Sequence, residues 1–292
     1  MADPYPQCWL NGRFQPLAEA RISPLDRGFL FADGVYEVVP VHRGRPFRLR
    51  EHLARLDRSL DALRIERPLS HEAWRDVLLE LASLAGAPEQ LLYLQVSRGA
   101  ESGRSQLMPP AGLRPTLFAF ASPYPAPAPA VLEKGLAAVT LADLRWGRCD
   151  IKSVALIANV LLRQQAQEQG AAEALLTRDG LLLEGSSSSV FLVKRGILAT
   201  PPNDHRILPG TTRDALIELV RDWRPCEVRP IEVTELETCD ELWIASAGRG
   251  VLPVTRVNGR AVGEGRPGRA WSAMHGRLQR HLDEIAATPV LA

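Results

Sequence analysis

Residues 145–153 of this 292-residue chain read Arg145-Trp146-Gly147-Arg148-Cys149-Asp150-Ile151-Lys152-Ser153. Lysine and arginine together number 35, yet only Lys134, Lys152 and Lys194 are lysines. Where arginine fills nearly every basic position, a lysine is a candidate for a task that arginine cannot perform. Lys134 and Lys194 lie beside expected turns. Lys152 instead opens an apolar helical pattern through Val154, Ile157, Val160 and Leu161, which predicts a helix from Lys152 to about Gly170. A buried stem there leaves the ammonium poorly solvated, and desolvation favours the neutral amine that attacks a carbonyl. The position also suits a lysine that snorkels from a helix start to water.

Upstream, Leu53, Leu56, Leu60 and Leu63 recur at helical spacing over residues 51–64. A second helix is capped by Ser70, lined by Trp74, Val77, Leu78, Leu81 and Leu84, and closed by Gly86. Residues 91–97 and 116–122 read as strands. Four prolines then alternate over residues 123–129, a composition that favours an extended connector. The length favours two domains, expected as a smaller one over 1–122 and a larger one over 131–292, joined by 123–130. Downstream come a strand over 136–144, hairpins turning at Asp179-Gly180 and Arg195-Gly196, and a helix after Gly210 ending near Trp223. A buried strand over 242–246, a hairpin at Asn258-Gly259 and a final helix from about Arg269 follow. Helices mix with antiparallel hairpins and no glycine-rich dinucleotide fingerprint follows a strand, so the expected class is α+β.

With 46% hydrophobic and 24% charged residues the chain has the composition of a globular protein, and a formal net charge of +1 offers no field to nucleic acid. The N-terminus carries no charged start before an apolar run, and no stretch approaches the roughly 20 apolar residues of a membrane span, so a cytoplasmic protein is expected. Cys8, Cys149, Cys226 and Cys239 are too scattered for paired zinc ligands and read as reduced, structural thiols. None of the six histidines forms a His-x-x-x-His pair, and no metal is expected.

Four motifs, in order along the chain, resemble the class IV aminotransferases, the fold-type IV pyridoxal-phosphate enzymes. They are the stretch around Lys152, then Leu183-Glu184-Gly185-Ser186-Ser187-Ser188-Ser189-Val190-Phe191, then Leu208-Pro209-Gly210-Thr211-Thr212-Arg213. Ahead of these, Asp26-Arg27-Gly28-Phe29-Leu30-Phe31-Ala32-Asp33-Gly34-Val35-Tyr36-Glu37-Val38-Val39 is similar to the D-amino-acid transaminase branch. The resemblance implies a two-domain α+β fold of type IV with much antiparallel sheet, and pyridoxal 5'-phosphate as cofactor. It makes Lys152 the Schiff-base lysine and the general base and acid that moves the substrate Cα proton to C4′ of the cofactor, and Glu184 the carboxylate that keeps the pyridine nitrogen protonated. It puts Ser186, Ser187 and Ser188 around the cofactor, Leu208 against its ring, and the phosphate on Gly210, Thr211 and Thr212 at a helix N-terminus. Without the resemblance, Glu184 suits a solvated strand end, the serines a polar turn and the threonines plain N-capping. Arg55 matches the family's phosphate arginine, although spacing alone leaves it solvated beside the leucine stripe.

In three places the chain departs from that branch. The loop Arg98-Gly99-Ala100-Glu101-Ser102-Gly103-Arg104-Ser105-Gln106 keeps Arg104 as a clamp for the substrate carboxylate, donated across a dimer interface, but Gln106 stands where the branch has histidine. Ala247, after Ser246, replaces a phosphate-binding hydroxyl and offers only its N–H. Arg249 follows close behind, either to add charge to the site or to reach solvent. Tyr36 and Val38 complete the substrate side. The implied reaction moves an amino group between a D-amino acid such as D-alanine and a 2-oxo acid such as 2-oxoglutarate, in a homodimer that engages neither nucleic acid nor membrane. Branched-chain L-amino-acid transaminase, aminodeoxychorismate lyase and (R)-amine transaminase are the alternatives on the same fold.

Overall fold

The computed structural model describes residues 3–287, which divide into two compact units: residues 3–125 with 151–155, and residues 126–150 with 156–287. The strands of the first unit are β1 (Gln7–Leu10), β2 (Arg13–Pro16), β3 (Gly34–His42), β4 (Arg45–Pro46), β5 (Gln90–Ser97) and β6 (Thr116–Pro123). They pair antiparallel in the order β2-β1-β6-β5-β3-β4. Its helices are α1 (Arg27–Phe31), α2 (Leu49–Leu63) and α3 (His71–Ala85). As expected, the Ser70 hydroxyl accepts from the Ala73 N–H at 3.2 Å to cap α3, and Gly86 closes it in the left-handed region.

Successive strand side chains point to opposite faces. On one face Val35, Val39, Leu92, Leu94, Val96, Leu117 and Ala119 pack with Leu53, Leu56 and Leu60 of α2 and Trp74, Leu78 and Leu81 of α3 into a single core. The other face carries Tyr36, Val38, Tyr93, Gln95, Phe118 and Phe120, all half-buried. Glu37 breaks the alternation, since it falls between Val35 and Val39 on the apolar face and is 0% exposed.

The second unit contains α4 (Pro129–Lys134), β7 (Leu136–Ala142), α5 (Ile157–Glu168), β8 (Glu173–Arg178), β9 (Leu181–Gly185), β10 (Ser189–Lys194) and β11 (Ile197–Thr200). It continues with α6 (Thr211–Val220), β12 (Cys226–Val228), β13 (Ile231–Glu232), β14 (Glu241–Ser246), β15 (Gly250–Val257), β16 (Arg260–Ala261) and α7 (Arg269–Ala287). The sheet runs β12-β11-β10-β14-β15-β7-β8-β9-β13, with β16 on β15. It is parallel at β11/β12, β15/β7 and β7/β8 and antiparallel elsewhere. The hairpins turn where the sequence predicts: Asp179-Gly180 and Arg195-Gly196 both adopt positive φ, as tight two-residue turns require.

Lys152 does not open a helix. Residues 151–155 bend past β3 without helix: Ser153 bridges Val35, the Tyr36 N–H donates to the Lys152 carbonyl at 3.0 Å, and the Val154 N–H donates to the Gly34 carbonyl at 3.0 Å. Backbone groups committed to strand pairing are not available to a helix, so α5 begins only at Ile157. Nor is its apolar pattern the buried face. Ile157, Val160 and Leu161 are 70, 59 and 59% exposed, whereas Leu162 and Ala166 pack against Val139, Ala174 and Leu176. The proline stretch also ends earlier than its composition suggests, because Pro129 sits in the first turn of α4, where its missing N–H is not needed. Among the described residues no helix is long and apolar enough to cross a membrane, and the four cysteines are free.

Candidate active site

In the second unit Glu184 lies near the end of β9 and is only 4% exposed. Arg145 donates to it through Nη1, and the same guanidinium donates to both oxygens of Asp143 at 2.9 and 3.1 Å and to the Arg206 carbonyl at 3.1 Å. The Leu208 N–H reaches both Glu184 oxygens at 3.2 Å. Burial pushes the Glu184 carboxyl up to about 7, against the opposing pull of Arg145 and of the Leu208 N–H. A further cation held beside it would fix it in the ionised form.

The serine turn that follows is folded around a second buried carboxylate, Glu173 at the start of β8. The Ser186 N–H at 3.1 Å, the Ser186 hydroxyl and the Ser188 hydroxyl at 3.1 Å all donate to it. Arg249 donates to Glu173 as well, and to the Ser187 hydroxyl at 3.1 Å. Arg249 shares the turn between β14 and β15 with Ala247, and its N–H donates to the Ser246 carbonyl at 3.2 Å. It therefore does not simply reach solvent. Close by in the same unit, α6 begins at Thr211 with Gly210 as N-cap and no side chain capping it, and both Thr211 and Thr212 are buried. A Cβ on Gly210 would come 2.5 Å from the Ser189 hydroxyl, so the main chain there rests directly on the serine segment. An uncapped start to a ten-residue helix favours an anion. Leu208 links that helix start to Glu184, and the pair of features suits a ligand with a protonated ring nitrogen at one end and a phosphate at the other.

In the first unit the Lys152 ammonium lies 4.2 Å over the Tyr36 ring, and its backbone N–H donates to the Ser59 hydroxyl at 3.1 Å. Ser59 stands one turn along α2 from Arg55. Arg55 is buried, not solvated as spacing suggests, and donates to both oxygens of Glu37 at 2.7 and 2.8 Å; His52 Nδ1 is 2.7 Å from the same carboxylate. Burial pushes the Glu37 carboxyl up, but Arg55 and His52 outweigh it and hold the group well below the usual carboxylate range. Tyr36 stacks on Tyr93 with ring centres 5.6 Å apart, and Val38 pairs with Tyr93 across the sheet. In the loop after β5, Arg98 holds Asp33 and the Leu63 and Arg64 carbonyls, while Arg27 holds Asp33, Glu101 and the Ser105 carbonyl. Arg104 is exposed, its guanidinium 5.0 Å over the Phe31 ring, and Gln106 is exposed. Among the described residues no hydrogen bond or ring contact joins either of them to Tyr36, Val38 or Lys152.

Residues 34–257 match the family model for amino-transferase class IV. The chain belongs to the class IV aminotransferases. It is 38% identical over 280 residues to a D-alanine aminotransferase of Bacillus licheniformis, a match covering 95% of this chain and 98% of the relative. To a D-alanine aminotransferase of Staphylococcus haemolyticus it is 34% identical over 261 residues, covering 89% and 92%. A branched-chain amino acid aminotransferase from Escherichia coli shares the fold with a TM-score of 0.87 at 24% identity, covering 94% of this chain and 93% of that one. The fold is thus type IV, as the motifs imply.

In this class IV aminotransferase, two buried groups of the second unit and one of the first are not marked as site residues by the motifs. Arg145 belongs to the quoted motif, but its partner Glu184 lies 39 residues on. Glu173 opens an apolar strand and carries no local mark of its partners. Glu37 does carry one, because a carboxylate at a period-two position between Val35 and Val39 demands a buried cation, and His52 and Arg55 stand on the helix that covers it.

Proposed function

We propose that this aminotransferase moves an amino group between a D-amino acid, D-alanine or a close analogue, and a 2-oxo acid such as 2-oxoglutarate, with pyridoxal 5'-phosphate held on Lys152. What carries the substrate class is the 38% identity to a D-alanine aminotransferase along nearly the whole chain. The buried Glu184, tied through Leu208 to the uncapped start of α6, supports the cofactor.

When bound, pyridoxal phosphate supplies a carbonyl to carry the amino group and a sink for the electrons left at Cα. Glu184 is the counter-charge of the ring nitrogen, and Arg145 and the Leu208 N–H fix its orientation. The N–H groups of Gly210, Thr211 and Thr212 bind the phosphate, with the threonine hydroxyls and the turn at Ser246 and Ala247 adding donors. Ser186, Ser187 and Ser188 shape the wall beside Glu184, and Leu208 packs on the ring. Arg55 serves the phosphate with a guanidinium already fixed by Glu37. Lys152 would take the proton from the substrate Cα as general base and deliver it as general acid to C4′ of the cofactor, and its amino group lies 4.2 Å over the Tyr36 ring, which orients it. Tyr36 and Val38 face the substrate, and Arg104 with Gln106 meets its carboxylate from a second copy. The protein is a homodimer in the cytoplasm; the exposed stripe of Ile157, Val160 and Leu161 on α5 supports a covered face, and the free thiols suit a reducing compartment.

The test is a single-turnover panel of D- and L-amino acids without acceptor, read by the visible absorbance of the bound cofactor. D-alanine is expected to react faster than L-alanine. Preference for L-leucine or L-valine would replace this reading with the branched-chain one, and pyruvate released from aminodeoxychorismate without an acceptor would replace it with the lyase.

A further inference from the structure

We propose that Arg249 is a positioning residue: through Glu173 it ties the turn carrying Ser246 and Ala247 to the serine turn after Glu184, and so fixes the Ala247 N–H for the cofactor phosphate. The inference rests on the cofactor reading above. Glu173 is 0% exposed and accepts from three serine donors and from Arg249. A carboxylate this deep needs a hydrogen-bonded cation. Arg163 lies 3.8 Å away, beyond hydrogen-bond reach, so Arg249 fills that role.

Two turns share this one anchor. Ser189 pairs with Ala245 across β10 and β14, so the strands are already side by side where the turns leave them. Beyond that point Arg249 closes the gap, with its N–H on the Ser246 carbonyl and its guanidinium on Glu173 and Ser187. On the serine side the fit is tight: a Cβ on Gly185 would collide with the Ser188 hydroxyl and come 3.2 Å from the Glu173 carboxyl carbon. The chemistry at 247 explains why the tie is needed. A hydroxyl can rotate to find an anion, whereas a backbone N–H points only where the main chain puts it. Alanine at 247 leaves the N–H alone, and Arg249 is the side chain that sets that main chain.

The experiment measures pyridoxal phosphate affinity of the cofactor-free protein by equilibrium dialysis, with inorganic phosphate as competitor and thermal melting alongside. Arg249→Met should weaken pyridoxal phosphate about tenfold or more, and weaken inorganic phosphate in parallel. Arg249→Lys should recover part of the loss. The Glu173→Gln/Arg249→Met pair removes both charges, so it should regain melting temperature without regaining affinity, and it carries the test if Arg249→Met does not fold. Adding Ala247→Ser to that pair should restore affinity. If the pair regains stability and affinity together, or if Arg249→Met lowers the melting temperature with affinity unchanged, Arg249 only neutralises Glu173 and the proposal falls. Wild-type protein that binds no pyridoxal phosphate would overturn the cofactor reading itself, a distinct result.

Discussion

Glu184→Gln should slow the reaction and spare the fold. Arg145 keeps Asp143 at 2.9 and 3.1 Å and the Arg206 carbonyl at 3.1 Å, so a neutral amide at 184 strands no buried cation. The Leu208 N–H still finds an acceptor in the amide oxygen. What is lost is one charge-assisted pair, and because burial pushes the carboxyl up to about 7, its ionised form is itself disfavoured there. Below about pH 4.5, where the carboxyl is protonated whether the chain is folded or not, stability of the cofactor-free protein should change by about 1 kcal/mol or less. The pH dependence has a definite sign. A raised carboxyl contributes fully below its ordinary value of 4.5 and loses that contribution as pH rises through about 7, so the variant should gain on wild type across that window. The reaction loses more, since an amide does not favour a protonated ring nitrogen. One charge-assisted hydrogen bond of about 1.5–3 kcal/mol corresponds to a rate loss of about 10- to 150-fold. The assay is exchange of the D-alanine Cα hydrogen in heavy water, followed by NMR, with thermal melts of both proteins. Equal exchange rates would refute the assignment of Glu184, and a melting collapse as deep as that of Arg145→Met would refute the argument that Arg145 stays satisfied.

Glu37→Ala leaves the Arg55 guanidinium buried without its carboxylate and should cost about 3 to 5 kcal/mol in urea denaturation. Because Arg55 and His52 hold Glu37 below the usual range, its contribution is present above about 4.5 and lost as pH falls through its lower folded value; a Glu37→Gln variant equally sensitive to acid would contradict this. Arg104→Ala should lower kcat/KM for D-alanine by about 30-fold, roughly 2 kcal/mol, and leave a simple (R)-amine nearly unaffected. Equal loss on both substrates would assign Arg104 to the fold or the dimer.

Local order was legible where one rule governed. Ser70 and Gly86 bracket α3 because capping is a matter of a few adjacent residues, and Asp179-Gly180 and Arg195-Gly196 turn because their φ values admit little else. At Lys152 apolar spacing favours a helix, but pairing with Gly34 and Val35, more than a hundred residues earlier, keeps the segment out of one. Apolar spacing on α5 likewise cannot distinguish a buried face from an exposed one. Motif residues, and Arg249 as a possible added charge, are legible in the sequence, but which carboxylates Arg145 and Arg249 hold is not. Arg145 on Glu184 and Arg249 on Glu173 join segments distant in sequence. Only Glu37 left a readable trace, a charge in an apolar alternation.

Whether Lys152 carries the cofactor is decided by borohydride reduction of the purified protein followed by peptide mapping. With only three lysines in the chain, the outcome is unambiguous. The purified protein should be yellow, and reduction should fix its cofactor covalently to the peptide containing Lys152, with the label lost in Lys152→Ala. Label on the peptide of Lys134 or Lys194 would contradict it.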